Sequence, residues 1–423
     1  MTAEIVVDPA TATAQDGATA TAQDGAIPTA PPLARVITSD AEARAVAREF
    51  AESVRQHAAQ IDADRRIPAE VVDAFSATGL WAITIPRDHG GADVSQATLA
   101  DVIATVSAVE PSLGQIPQNH FCLVEDIRLS GTAEQQAFFF GLVLAGARFA
   151  NAFSEAGGKN VAEIETKLVA DGDEVVVTGR KFYSTGSAYA HWIPVLALDE
   201  DGREQLVFTE RDSQGLTVVD DWSAFGQRAT SSGTVLLDGL RVPADRVFPM
   251  HTEYENPTIA GPFAQLTTLA IDLGIARGAI RETHDAVRAA RPWIDSGVDS
   301  ASKDQLTLER LGRLDIDLAA AEALTEKAGE AIDAAKPAAD EQNVAAASIA
   351  VARAKVLTTE LALEASTRLL ELGGTRSTLG AKALDRYWRN ARVHTLHDPV
   401  RWKPVIIGDY VLNGTLPARH SWI

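Results

Sequence analysis

Apolar residues change their spacing along this chain, and each spacing implies a different architecture. Over residues 36–145 they recur at helical intervals, as in Asp40-Ala-Glu-Ala-Arg-Ala-Val-Ala-Arg-Glu-Phe-Ala-Glu52, which Ser39 or Asp40 can cap. Pro68 stands where a helix can start, with Val71, Val72 and Phe75 on one face. Residues 81–86 and the following Gly90-Gly91 read as a short extended piece and a turn. Further helices are expected over residues 99–109 and from about 119 to 129.

The period then shortens. Residues 167–177 alternate, and 181–183, 191–198, 204–208, 216–219, 234–237 and Val242 are β-prone pieces. Turns at Asp171-Gly172-Asp173, residues 199–202 and Asp238-Gly239 separate them. Short strands at such spacing suggest a small antiparallel barrel or sandwich. Beyond it, Ala-rich amphipathic stretches at 263–290, 307–335 and 343–372 are long enough for a helical bundle. The expected fold class is α+β: a helical domain at 33–149, an antiparallel β domain at 150–250 and a bundle at 251–423. Residues 1–32 stand apart. The octapeptide Ala-Thr-Ala-Thr-Ala-Gln-Asp-Gly occurs at 10–17 and again at 18–25, followed by Pro28-Thr-Ala-Pro-Pro32. So little apolar surface predicts a disordered, low-complexity tail.

Composition narrows the function. Lys plus Arg is 38 and Asp plus Glu 58, a net charge of −20, which argues against nucleic acid or an anionic membrane as the main partner. The single cysteine, Cys122, excludes internal disulfides and multi-thiolate metal sites and fits a reducing, cytoplasmic setting. No apolar run approaches the roughly 18 residues of a membrane span. No basic region followed by an apolar stretch opens the chain, so a secretory signal is not expected.

Several polar constellations carry candidate chemistry. Asn151-Ala-Phe-Ser-Glu-Ala-Gly-Gly158 offers hydroxyls and backbone N–H groups to a planar or anionic ligand, or forms a plain turn. Lys181-Phe-Tyr-Ser-Thr-Gly-Ser187 sets aromatics beside hydroxyls, which suits a flat heterocycle but also an ordinary strand end. Residues 220–234 collect Arg228 and five hydroxyls (Ser223, Thr230, Ser231, Ser232, Thr234) near Gly226 and Gly233. Such a loop can hold a phosphate, or be a polar hairpin; it is not a P-loop. His394 and His397 are too few for a metal site, and a proton donor in a cleft suits them better. Gln115-Ile-Pro-Gln-Asn-His-Phe-Cys122 is a polar knot ahead of an apolar helix, and Gly373-Gly374 reads as a helix C-cap.

The order of these motifs resembles the acyl-CoA dehydrogenase superfamily from about residue 36 to the C-terminus. Within it the chain is most similar to the flavin-dependent monooxygenase branch of sulfur-acquisition oxidoreductases and dibenzothiophene monooxygenase. The likeness is carried by residues 111–121, 151–155, 179–186, 221–228, 290–293 and 388–399. It implies a C-terminal four-helix bundle, a homotetramer, and a flavin between the β domain and the bundle. It implies that Asn151 and Ser154 face the isoalloxazine edge, with Tyr183, Ser184 and Thr185 flanking the ring. Trp222, Gln227, Arg228 and Ser232 would lie near the ribityl phosphate, and Arg291 would reach a neighbour's flavin. FMN is expected, supplied reduced by a separate flavin reductase; the Gly373-Gly374 turn keeps FAD open.

The implied reaction inserts oxygen from O₂, through a C4a-(hydro)peroxyflavin, into a small organosulfur compound. His397 would handle the peroxide proton, with His394 or Asp398 setting its tautomer and His120 as a further catalytic candidate. Gln115, Asn119 and Phe153 would line the substrate pocket. The dibenzothiophene enzyme carries His and Tyr where this chain has Gln115 and Asn119, so a more polar pocket and a substrate smaller than a tricyclic thioether are expected. Two alternatives stand beside this one. The first is an FAD-dependent acyl-CoA dehydrogenase, against which the branch's missing Glu base argues, with Asp398 keeping it open. The second is a non-catalytic flavin-binding helical oligomer.

Overall fold

The computed structural model describes residues 30–156 and 163–423. Nearly all of the expected tail, and Gly157 and Gly158 of the glycine-rich loop, lie outside these residues. The first helix, α1 (Asp40–Val54), begins where Ser39 accepts a hydrogen bond from the Glu42 N–H, and it buries Val46, Phe50 and Val54. Two short helices follow, α2 (Ala58–Asp64) and α3 (Ala69–Ala77), the latter starting after Pro68.

Residues 81–86 are not extended. After Gly79 at φ 79° a 3₁₀ turn covers Leu80–Ala82. Trp81, Ala82, Ile83, Thr84 and Ile85 are all buried, so this run faces protein on every side and does not alternate. Next come α4 (Gln96–Ser107), α5 (Pro111–Ser130) and α6 (Ala133–Leu144). Helix α5 starts well before the expected position. Pro111 sits in its first turn, Glu110 accepts from the Ser112 N–H, and Pro117 is carried inside. The polar knot 115–122 therefore lies inside a helix rather than in the segment leading into it.

The strands are β1 (Lys167–Asp171), β2 (Glu174–Lys181), β3 (Trp192–Leu198), β4 (Glu204–Glu210), β5 (Leu216–Val219), β6 (Thr234–Pro243) and β7 (Val247–Phe248). They form one sheet in the order β5-β6-β2-β1-β3-β4-β7. The sheet is mixed rather than wholly antiparallel, because β1 runs parallel to β3 with Lys167 opposite Leu198. Asp238-Gly239 is not a turn. It lies inside β6 as two successive exposed residues, where the pairing with β2 shifts register. The piece expected at 181–183 ends at Lys181, and Tyr183 adopts φ 57°.

After α7 (Thr252–Glu255) the bundle begins with α8 (Ala260–Ala289), α9 (Gln305–Ala335) and α10 (Glu341–Gly373). These start and end close to the expected bounds, since their apolar period is unbroken. Shorter helices α11 (Asp385–His394) and α12 (Lys403–Asn413) pack on α10. A continuous apolar core joins α1, α4 and α5 to α8, α9 and α10. A second cluster glues α5 and α6 to one face of the sheet through Phe139, Phe149, Phe208 and Phe248. Among the described residues, no helix is long and apolar enough to cross a membrane.

Candidate active site

The site lies where loops of the sheet meet α5, α8 and α11. Beyond Lys181 the chain turns back through Tyr183 and Gly186, both with positive φ. The backbone then bonds across to the 226–233 loop: Ser184 N–H donates to the Gly233 carbonyl at 3.1 Å, and Gly186 N–H to Thr230 at 2.8 Å. Hydroxyls extend the link. Thr185 Oγ1 and Ser232 Oγ are 2.8 Å apart, and Ser232 lies 2.7 Å from Thr230 Oγ1, which donates to the Gln227 carbonyl. The same carbonyl accepts from the Trp222 indole at 2.8 Å. Gly226 lets this loop press on α11, because a Cβ there would stand 2.0 Å from the Arg389 carbonyl oxygen. The Asn390 side chain accepts the Gln227 N–H at 2.6 Å and completes the docking.

Three groups in these loops are buried without partners: Ser184 Oγ, Ser231 Oγ and the whole Gln227 side-chain amide. Gln227 and Ser231 also both adopt φ 48°, a costly conformation for residues with a Cβ. Each unsatisfied group costs about 1–3 kcal/mol. A cluster of such costs along one loop pair fits a site built for a polar ligand.

The opposite wall is helical. Gln115 and Asn119 lie one turn apart on α5 and so share a face. Asn119 donates to the Asn151 side-chain oxygen at 3.0 Å, and the Gln115 amide nitrogen lies 3.3 Å from His397 Nε2. His397 follows α11 at the protomer surface, its ring centre 5.0 Å from that of His394. Desolvation by surrounding protein comes first and the neighbouring Lys355 ammonium adds to it, so the His397 pKa is lowered and its ring is neutral near pH 7. His394 is buried, with Nδ1 2.6 Å from Asp272 Oδ1. Asp272 Oδ2 accepts from Lys355 Nζ at 3.1 Å and Thr359 Oγ1 at 2.9 Å. Burial opposes its ionisation, yet Lys355 and His394 hold the Asp272 carboxyl well below the usual carboxylate range.

Comparison with known proteins matches three family models in order. They are the acyl-CoA dehydrogenase N-terminal domain over residues 38–147, the middle domain over 150–240 and the C-terminal domain over 266–402. Dibenzothiophene monooxygenase of Rhodococcus erythropolis is 30% identical over 402 residues, covering 90% of this chain and 95% of its own. This chain belongs to the flavin-dependent monooxygenase branch of the acyl-CoA dehydrogenase superfamily. Two solved structures of similar proteins agree. FMN-bound TdsC from Paenibacillus sp. A11-2 superposes with a TM-score of 0.86 at 28% identity, covering 90% of this chain and 100% of its own. Methanesulfinate monooxygenase MsuC from Pseudomonas fluorescens does so at 0.83 and 28%, covering 90% and 99%.

Within this monooxygenase fold most of the expected residues converge, and several do not. Asn151, Tyr183, Ser184, Thr185, Trp222, Gln227 and Ser232 share the two loops and their rim, with the Tyr183 and Trp222 rings 6.0 Å apart. Ser154 contributes its carbonyl to the Phe182 N–H at 2.8 Å. Arg228 is not a free cation: it lies 3.8 Å from Asp62, which Arg389 already clamps at 2.6 Å. Phe153 packs with the α5–α6–sheet cluster rather than standing free in a pocket.

His120 does not reach the site at all. It is fully buried, lies 2.9 Å from the Trp81 carbonyl through Nε2, and accepts the Phe149 N–H at Nδ1. Burial pushes its pKa down to about 3, so it is a neutral core residue with both nitrogens committed. Arg291 follows α8 on the exposed surface, and Gly373-Gly374 ends α10 with Gly374 at φ 64°. No group of three or more His, Cys, Asp or Glu able to hold a metal occurs among the described residues.

Sequence reasoning missed Asp272, Lys355, Thr359 and Asn390. One signal was available: Asp272 is a lone acid inside the apolar run of α8, and Lys355 sits on the buried face of α10. A charge placed there needs a partner.

Proposed function

We propose that this protein uses reduced FMN and O₂ to oxygenate the sulfur of a small organosulfur compound. The observation that carries it is the set of buried, unpartnered polar groups on the sheet loops, Ser184, Gln227 and Ser231, in a loop pair that docks on α11 through Gln227 and Asn390. When bound, reduced FMN supplies the two electrons that take one oxygen atom of O₂ to water while the other goes to sulfur.

The protein's own residues do the rest. Ser184 and Thr185 offer hydroxyls to the ring, and Tyr183 and Trp222 wall it. The Gln227–Ser232 loop offers its amide and hydroxyls to the ribityl phosphate end. In a homotetramer Arg291 of a neighbouring copy would add a cation there. That role is supported by its exposure beside Trp293 and Ile294, which are 70% and 86% exposed. Closely packed loops exclude water. Neutral His397 gives or takes the proton at the reacting oxygen, with the Gln115 amide on its Nε2. Gln115 and Asn119 make the pocket polar, which supports a substrate smaller than a tricyclic thioether. A flavin reductase supplies the reduced FMN.

His397→Ala tests the assignment. The variant should bind FMN like the parent but release hydrogen peroxide in place of oxygenated product. Retained coupling of O₂ to product would remove His397 from the reaction. If purified protein instead oxidised an acyl-CoA anaerobically with bound FAD, the chain would be a dehydrogenase.

A further inference from the structure

Asp272 joins α8, α10 and α11 at one buried point. Its side chain is 0% exposed, and those of His394 and Lys355 are each 1% exposed. Thr359 completes the set from the next turn of α10. Lysine can only donate, so Asp272 Oδ2 must accept from Lys355. Oδ1 then faces His394 Nδ1 at 2.6 Å, and an ionised carboxylate can only accept there. The ring proton must therefore sit on Nδ1. The other nitrogen, Nε2, is buried and has no hydrogen-bond partner.

We propose that Asp272 is a positioning residue for the oxygenation: it fixes His394 in the Nδ1–H form, leaving Nε2 as a bare proton acceptor beside His397. Lys355 has a separate part. A buried carboxylate alone would draw a second proton onto the imidazole and turn Nε2 into a donor. The ammonium balances the carboxylate, so the ring stays neutral and the cluster carries no net charge. The inference rests on the proposed activity for its purpose, but the tautomer is a property of the protein without flavin.

Asp272→Asn separates these roles. Lys355 can only donate, so the amide oxygen of the substituted side chain must face it and the NH₂ must face His394. The ring must then accept at Nδ1 and carry its proton on Nε2, the inverse tautomer. Solid-state ¹⁵N NMR of ring-labelled histidine in flavin-free protein reads this directly, with the His394 signal assigned by its loss in His394→Gln.

The parent should show the Nδ1–H tautomer and Asp272→Asn the Nε2–H tautomer. Lys355→Met should show a doubly protonated ring at pH 7, and serves if Asp272→Asn does not fold. Thr359→Val loses one hydrogen bond but keeps both charges, and should keep the parent tautomer. An Nε2–H ring in the parent, or an unchanged neutral Nδ1–H ring in both charge variants, would overturn the proposal. In turnover, Asp272→Asn should lose about a hundredfold in kcat for oxygenation, the low end of what a placed acid or base contributes. FMN affinity should hold. A parent that oxygenates nothing would defeat the proposed activity and leave the tautomer result standing.

Discussion

Two buried acid sites in this molecule meet opposite fates. Asp272, between α8, α10 and α11, is fully buried yet held ionised by Lys355 and His394. Asp126 on α5 and Glu253 on α7 are also buried, but they face each other and Glu125. Burial, then mutual repulsion, raises the pKa of Glu253 well above the usual carboxylate range. Asp126 is likewise raised, by burial first. The nearby guanidinium of Arg128 pairs with Glu125 and not with either of them. Burial is common to both sites, so the partners decide the charge. Where the sequence places a cation across from the acid, a charged and directional group survives in the core. Where it places a second acid, both carboxyls are pushed up and the pair holds on to protons that isolated acids would release.

The largest expected effect breaks the first site. Asp272→Ala leaves a buried lysine unpaired and should cost about 3–5 kcal/mol in urea unfolding. A loss below about 1 kcal/mol would mean that water already reaches Lys355.

Next comes the second site, with the opposite sign. Carboxyls whose folded pKa is raised bind more protons in the folded state, so their contribution to stability falls as pH rises above about 4. Asp126→Asn should therefore stabilise the protein by on the order of 1–2 kcal/mol at pH 8 and leave it nearly unchanged at pH 4. Equal effects at both pH values would show that the pair does not hold a proton.

His120 sharpens the contrast, as a buried titratable group with no charged role. His120→Phe gives up two hydrogen bonds to backbone and should cost about 1–2 kcal/mol. Coupling of O₂ to product should not change. Loss of coupling would return His120 to the site.

Much of the architecture was legible from spacing. The long helices α8, α9 and α10 announce themselves by unbroken apolar periods, and the β pieces by alternation. Misreadings came where a local signal met a tertiary override. Asp238-Gly239 looks like a hairpin turn, but a register shift against β2 absorbs it. Pro117 and the polar residues around it argue against a helix interior, yet packing on α8 sustains α5 through them.

The loop half of the site was legible because its hydroxyls, aromatics and glycines are contiguous in sequence. The helical half was not, because it is assembled at long range. Asp272 and His394 are 122 residues apart, and Gln115 and His397 are 282 apart. His120 misled because a polar side chain near a polar knot looks functional until its two backbone partners, Trp81 and Phe149, are seen.

The central claim is that an oxygen atom from O₂ reaches the sulfur of a small substrate in this site. Turnover under ¹⁸O₂, with FMN kept reduced by a flavin reductase and a panel of small sulfides and sulfinates, tests it most directly. The account predicts one ¹⁸O atom in the oxygenated product and loss of that product in His397→Ala. Label recovered only in peroxide or water with every sulfur compound, or product oxygen drawn from solvent, would contradict it.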